Sequence, residues 1–118
     1  MEEKQNKQRS SPASVPLSLE NAHLVIRRAW RTGTVQITPH FQRRRSERGF
    51  TTADVGHVLQ RGSIWGCPEY CEEFRNWKYR LRATVEDSIL EIVIALDPTQ
   101  DYDEAPNISL ITGYWKEI

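Results

Sequence analysis

The residues best suited to chemistry lie in the segment 37–49, which contains one histidine and four arginines. His40, Arg44 and Arg48 are four residues apart, so in a helix they would share one face, with neighbours about 6 Å apart along the axis. An imidazole exchanges protons near neutral pH, and a guanidinium group can bind two phosphate oxygens at once. The spacing therefore predicts a site for a phosphate-bearing partner. The alternative is a solvated basic helix face.

The charges are segregated along the chain although they cancel overall, with 16 Lys and Arg against 16 Asp and Glu in 118 residues. Seven arginines and one acidic residue lie between positions 27 and 48, whereas seven acidic residues and no basic one lie between 86 and 104. A basic patch can therefore attract a polyanion despite the neutral total. Cys67 and Cys71 lack a second pair of ligands with zinc spacing, so we expect no metal and no cofactor. Free thiols are expected at both positions, and a short disulfide between them is the alternative.

The location and domain organisation follow from composition. No segment is long and apolar enough to predict a transmembrane helix. Residues 1–16 are rich in Lys, Gln, Ser and Pro and lack the apolar region of a signal peptide, so they are interpreted as a flexible tail. Residues 17–118 are predicted to form a single domain of a cytoplasmic protein that does not contact membranes.

Two or three helices are predicted ahead of the main sheet. Each has a polar residue that can cap its start and a glycine that can end it: Ser18 and Gly33, Thr38 and Gly49, Thr51 and Gly62. Pro39 fits the first position of the second helix, the one that carries His40, because a proline there loses no hydrogen bond. Residues 35–37 indicate a short strand before it, and 64–65 a brief strand followed by a loop over 66–73.

The second half of the chain predicts the sheet. Between 77 and 85, apolar residues alternate with polar ones, which indicates a strand with three cations in one row: Lys78, Arg80 and Arg82. Residues 89–96 are almost continuously apolar, as in a central strand buried on both faces. An acidic loop over 97–107 precedes a last strand, 108–115. The order of elements predicts an α+β fold, with N-terminal helices packed on an antiparallel sheet of three to four strands.

Four short motifs occur in order between positions 34 and 115. They are Ile37-Thr38-x-His40-x-x-x-Arg44-x-x-x-Arg48-Gly49, Asp54-Val55, Tyr79-Arg80 and Ile111-Thr112-x-Tyr114. Together they resemble a bacterial domain family of formerly unknown function that is similar to the RelE and MqsR toxins, in the barnase, EndoU, colicin and RelE group of small ribonucleases. The resemblance implies a cationic groove and endoribonuclease activity, in a toxin that has a cognate antitoxin protein as its partner.

The resemblance also implies which residues lie near the site: His40, Arg44, Arg48, Arg80, Thr112 and Tyr114. RNA cleavage without a metal needs a general base for the 2′-OH, cations for the phosphorane and an acid for the leaving oxygen. We expect His40 to be the base or the acid, and the three arginines to hold the phosphate. Tyr114 is expected to be the second proton carrier or to supply an orienting hydrogen bond. Further RNA contacts are expected from Arg43, Arg45, Lys78, Arg82 and Thr112.

Two functions remain open from the sequence. One is a ribonuclease toxin that cleaves single-stranded RNA or mRNA, alone or at the ribosome. The other is a non-catalytic module of the same fold that binds nucleic acid or docks a partner, because phosphate binding and phosphate cleavage require the same arginines. Trp65 and Tyr70 could stack on unpaired bases or pack in the core, whereas the alternation around Trp77 favours the core.

Overall fold

The computed structural model of the chain describes residues 15–73, 75–96 and 108–116. In chain order its elements are α1 (Leu19–Thr32), β1 (Val35–Ile37), α2 (Pro39–Arg48), α3 (Thr52–Arg61), β2 (Ser63–Cys71), β3 (Asn76–Val85), β4 (Ser88–Leu96) and β5 (Ile108–Lys116). The predicted α+β class is confirmed. The described residues form three helices and a five-stranded sheet, one strand more than the largest sheet predicted.

The sheet differs from the prediction at both edges. Its strand order is β1-β5-β4-β3-β2, and β1 pairs with β5 in parallel, so the sheet is mixed and not antiparallel throughout. At the other edge, β2 continues to Cys71, where the sequence indicated a loop. Gly66 adopts a φ of 73°, and the register shifts between Trp65 and Glu69 before pairing with β3 resumes. The apparent loop is therefore a bulged edge strand, which glycine and proline tolerate.

The three helices begin at the predicted caps. Ser18 Oγ accepts from the amide of Asn21 in α1, and Thr51 and Asp54 form a reciprocal capping box on α3. The hydroxyl of Thr38 has two partners: it accepts from an amide of α2 and donates to the carbonyl of Leu110 on β5 at 2.9 Å. That bond fixes the start of α2 against the neighbouring strand.

The core lies between the helices and one face of the sheet. Its largest members are Tyr79, Phe41, Phe50, Ile26, Leu59, Leu81, Leu90, Ile92, Ile94, Leu96, Ile108 and Leu110. Side chains alternate along β3 and β4, so the residues between these members project from the other face.

Two predicted segments, the tail up to residue 14 and the acidic loop 97–107, lie outside the described residues. Within the described ranges, no helix has both the length and the apolar character needed to cross a membrane. Cys67 and Cys71, both on β2, are free thiols.

Candidate functional site

The face of the sheet opposite the helices carries five of the ten predicted site residues: Lys78, Arg80, Arg82, Thr112 and Tyr114. Lys78, Arg80 and Arg82 project from β3 on this side, because Tyr79 and Leu81 between them are buried in the core. The strand register aligns them with residues of β4 and β5. We call this surface the cationic face and define it by Lys78, Arg80, Arg82, Glu91, Thr112, Tyr114 and Lys116.

A buried carboxylate lies at the centre of the cationic face. Arg82, Glu91 and Tyr114 are directly opposite one another on the adjacent strands β3, β4 and β5. Glu91 is completely buried, and its Oε1 accepts a hydrogen bond of 2.6 Å from Arg82 Nε. Its Oε2 has no hydrogen-bond partner of ordinary geometry among the described residues. One oxygen of a buried carboxylate is thus paired with a cation, and the other is not.

The charge states of Glu91 and Tyr114 are set by this arrangement. Burial raises the pKa of Glu91, but the neighbouring Tyr114 hydroxyl, the Arg82 guanidinium and the charge of Lys116 outweigh burial and hold the pKa below its ordinary value. The pKa of Tyr114 is raised, because burial and then the adjacent Glu91 carboxylate disfavour a phenolate. At neutral pH, Glu91 is therefore an anion beside a protonated phenol.

Two cations from different elements lie against the ring of Tyr114. The Nζ atom of Lys116 is 4.7 Å from the ring centroid, and the Cζ atom of Arg48, at the end of α2, is 5.7 Å from it. Arg48 is also held by a bond from its Nη1 to the carbonyl of Gly113 at 2.7 Å. Cations placed over a tyrosine interact with the ring and, where exposed, remain able to bind an anion.

Close packing fixes the end of α2 in this position. Trp115 Nε1 donates to the carbonyl of Arg48 at 2.7 Å, and Phe50 packs edge-to-face on Phe41 and on Trp115. A Cβ atom at Gly113 would lie 2.7 Å from the Phe50 ring, so only glycine allows Phe50 to approach the strand this closely. The chain therefore uses α2, the segment after it and β5 to bring Arg48 to Tyr114.

Arg80 and Thr112 form a second row beside the first. They face each other across Val93 of β4. Arg80 Nη2 lies 3.5 Å from Glu69 Oε2, and both side chains are largely exposed. An exposed ion pair of this length contributes little stability, so Arg80 can exchange Glu69 for a phosphate at low cost.

The remaining predicted residues of α2 lie away from Tyr114. His40 is exposed in the first turn, eight residues and so about 12 Å along the axis from Arg48. No hydrogen bond or ion pair joins the side chain of His40 to any described residue. Arg44 is paired with Glu47 at 2.6 Å. The structure thus brings Arg48, but not His40, to the predicted second proton carrier.

Arg43 and Arg45 have different surroundings. Arg43 is exposed on α2. Arg45 bonds to Gln42 and, at 3.5 Å, to the carbonyl of Phe50, and it lines a small cleft with Trp30 and other residues of the helix layer. Arg45 therefore braces the end of α2 on the helix side of the sheet and lies apart from the cationic face.

Two residues of the cationic face, Glu91 and Lys116, were not among the predicted site residues. A signal for Glu91 is present in the sequence, since it is the only charged residue in the apolar run 89–96, and a charge in a central strand must find a partner. No sequence pattern indicated Lys116, because its position on the cationic face depends on the pairing of β5 with β4.

Neither a metal site in the described residues nor a known relative indicates a function for this arrangement of side chains. The described ranges contain no group of three or more His, Cys, Asp or Glu placed to hold a metal ion. Comparison of the chain with family models, curated proteins and solved structures finds no match. A functional conclusion therefore depends on the cationic face itself and on the sequence motifs.

Proposed function

We propose that this protein is a metal-independent endoribonuclease, the toxin of a bacterial type II toxin–antitoxin pair, which binds single-stranded RNA on the cationic face. The observation that carries the proposal is the position of the Tyr114 phenol between a buried carboxylate and two cations. Phosphate binding alone needs the cations only. A phenol coupled to an ionised carboxylate adds a route for a proton.

In the proposed reaction, the 2′-oxygen attacks phosphorus and the bond from phosphorus to the 5′-oxygen breaks. The 2′-OH proton passes to Tyr114 as the phenolic proton passes to Glu91, so no phenolate accumulates beside the carboxylate. Arg48, Arg80 and Lys116 stabilise the charge on the non-bridging oxygens. The leaving 5′-oxygen takes a proton from water, since His40 lies about 12 Å along α2 from Arg48. The products are a 2′,3′-cyclic phosphate and a 5′-hydroxyl.

The test compares cleavage and binding of one single-stranded RNA in EDTA. Tyr114→Phe should reduce the cleavage rate by at least about a hundredfold, the low end for losing a proton-transfer group, while binding changes little. Tyr70→Phe is the matched control, because Tyr70 is partly exposed on β2 and packs on Trp77 instead of facing Glu91. Equal cleavage by wild type and Tyr114→Phe would contradict the proposed role of the phenol.

A non-catalytic nucleic-acid-binding or partner-docking module is the second candidate. The separation of His40 from Tyr114 favours it, because the sequence-based mechanism needs both as proton carriers. Under this alternative, the wild type would bind RNA with a strong salt dependence but would cleave it neither in buffer nor in a translation extract. As a toxin, in contrast, the protein would inhibit translation and would be neutralised by an antitoxin that covers the cationic face.

A further inference from the structure

An exposed tryptophan lies at the side of the cationic face. All four tryptophans fall in the described part of the chain, and Trp65 alone among them is exposed, with 52% of its surface accessible. Trp65 belongs to β2 and is paired with Arg80 in the strand register. It therefore projects from the same side of the sheet as the cations of β3. Leaving so large an apolar ring exposed is unfavourable, because burying it would gain hydrophobic free energy.

Arg82 holds a guanidinium group against this ring. Its Cζ atom lies 4.6 Å from the centroid of Trp65. The group cannot swing freely, because its Nε is bonded to the buried Glu91 carboxylate at 2.6 Å. The terminal amino groups of Arg82 take no part in that bond. Trp65 and Arg82 thus form a fixed aromatic and cationic platform, with hydrogen-bond donors at its edge.

A cleft opens beside the platform. It has a volume of about 120 Å³ and is lined by Trp65, Arg82, Ala83, Thr84 and Ile89. This volume is below the roughly 300–1,000 Å³ of pockets that enclose whole small molecules. One flat ring fits such a space better than a complete nucleotide does. The lining provides apolar contacts for a ring face, and a hydroxyl and a guanidinium for a polar ring edge.

We propose that Trp65, Arg82 and this cleft form a subsite for one unpaired nucleobase of the bound strand. The inference rests on the proposed function, and it specifies how the strand is oriented on the cationic face. Arg82 and Tyr114 are two strands apart, about 10 Å across the sheet. A base in the cleft would therefore belong to a nucleotide next to the one cleaved. Stacking on an aromatic side chain accepts every base, and the polar edge supplies any preference among them.

The test uses a short single-stranded RNA whose sugars are all 2′-O-methylated, so that the nucleophile is absent and binding is measured without cleavage. A second strand with the same backbone carries abasic sites. At one fixed salt concentration, Trp65→Ala should weaken binding of the base-bearing strand about tenfold or more and leave binding of the abasic strand unchanged. Wild-type tryptophan fluorescence should be quenched by the base-bearing strand, and this quenching should be lost in Trp65→Phe.

Two controls separate the subsite from its surroundings. Leu24→Ala removes another exposed apolar side chain, on α1, and should bind both strands as the wild type does. Lys78→Ala should weaken both strands and reduce the salt slope by about one ion, because a phosphate contact is lost.

The outcomes distinguish failure of the base subsite from failure of the proposed function. If Trp65→Ala binds the base-bearing strand as tightly as the wild type while the wild type still cleaves unmodified RNA, the subsite is wrong and the proposed function stands. If both strands weaken equally, Trp65 supports the fold or the backbone contact, and the base subsite is again wrong. If the wild type binds neither strand, the subsite and the RNA-binding role of the cationic face are both contradicted.

Discussion

Replacing Arg82 by methionine should lower the free energy of unfolding, because Glu91 is a buried carboxylate and Arg82 is its ion-pair partner. Glu91 is fully buried, and its Oε1 accepts a hydrogen bond from Arg82 Nε. Methionine keeps much of the side-chain volume but removes the ion-pair partner of the carboxylate. Removing one partner of a buried ion pair costs about 3–5 kcal/mol, and we expect about 3 kcal/mol, because a quarter of the Arg82 side chain is exposed and water can replace part of it.

The way the stability loss changes with pH distinguishes removal of an ion-pair partner from a general loss of packing. In the wild type the pKa of Glu91 lies below the ordinary value of 4.5, so its contribution to stability is present above that pH and is lost as the pH falls through the lowered pKa. Without Arg82, both its hydrogen bond and its charge stop favouring the anion, so the pKa of Glu91 rises. A raised pKa means that protonation relieves the buried charge. The stability difference between wild type and Arg82→Met should therefore shrink as the pH falls from neutral towards 4.5.

Urea unfolding at neutral and acidic pH measures this difference, with Arg80→Met as the matched control on the same strand. Arg80→Met should cost less than about 1 kcal/mol, because its pair with Glu69 is exposed. The double variant Arg82→Met/Glu91→Gln should recover most of the loss. The explanation is wrong if Arg82→Met loses no more unfolding free energy than Arg80→Met, or if its loss stays constant with pH.

Three further predictions concern the ends of the site and the core. Gly113→Ala should lower the free energy of unfolding by about 1–3 kcal/mol, because the new methyl group would clash with the Phe50 ring; unchanged urea midpoints would contradict this. Arg48→Ala should weaken RNA binding and slow cleavage more than Arg44→Ala, since Arg48, unlike Arg44, lies against the Tyr114 ring; equal effects in a paired kinetic assay would refute it. Burial raises the pKa of Tyr79 to about 12, so this residue's contribution to stability should be lost as the pH rises above 10; Tyr79→Phe should remove that alkaline loss in thermal unfolding.

Local features of the fold were predictable from the sequence because their causes are local. The capping hydroxyl of Thr38 and the left-handed Gly49 lie within one turn of the ends of α2, so the residues that set these ends are adjacent in the chain. The alternation along β3 likewise identifies its two faces from a period of two residues. Such patterns do not depend on which element the strand or helix packs against.

Long-range features were not predictable in the same way. The parallel pairing of β1 with β5 joins Val35 to Ile108, and no local pattern specifies that partner. The spacing of His40 and Arg48 correctly placed them on one helix face, but it could not show that only Arg48 reaches the sheet. Glu91 stands out as the only charge in the run 89–96, but the sequence could not show that it lies between Arg82 and Tyr114, which come from two other strands.

The most direct test of the central claim is the chemistry of the RNA ends that the protein produces in EDTA. The account predicts 2′,3′-cyclic phosphate and 5′-hydroxyl ends with the wild type, formed at least about a hundredfold more slowly by Tyr114→Phe. The presence of 5′-phosphate ends would contradict attack by the 2′-oxygen. RNA that stays intact with the purified wild type, both in buffer and in a translation extract, would contradict the proposed ribonuclease activity altogether.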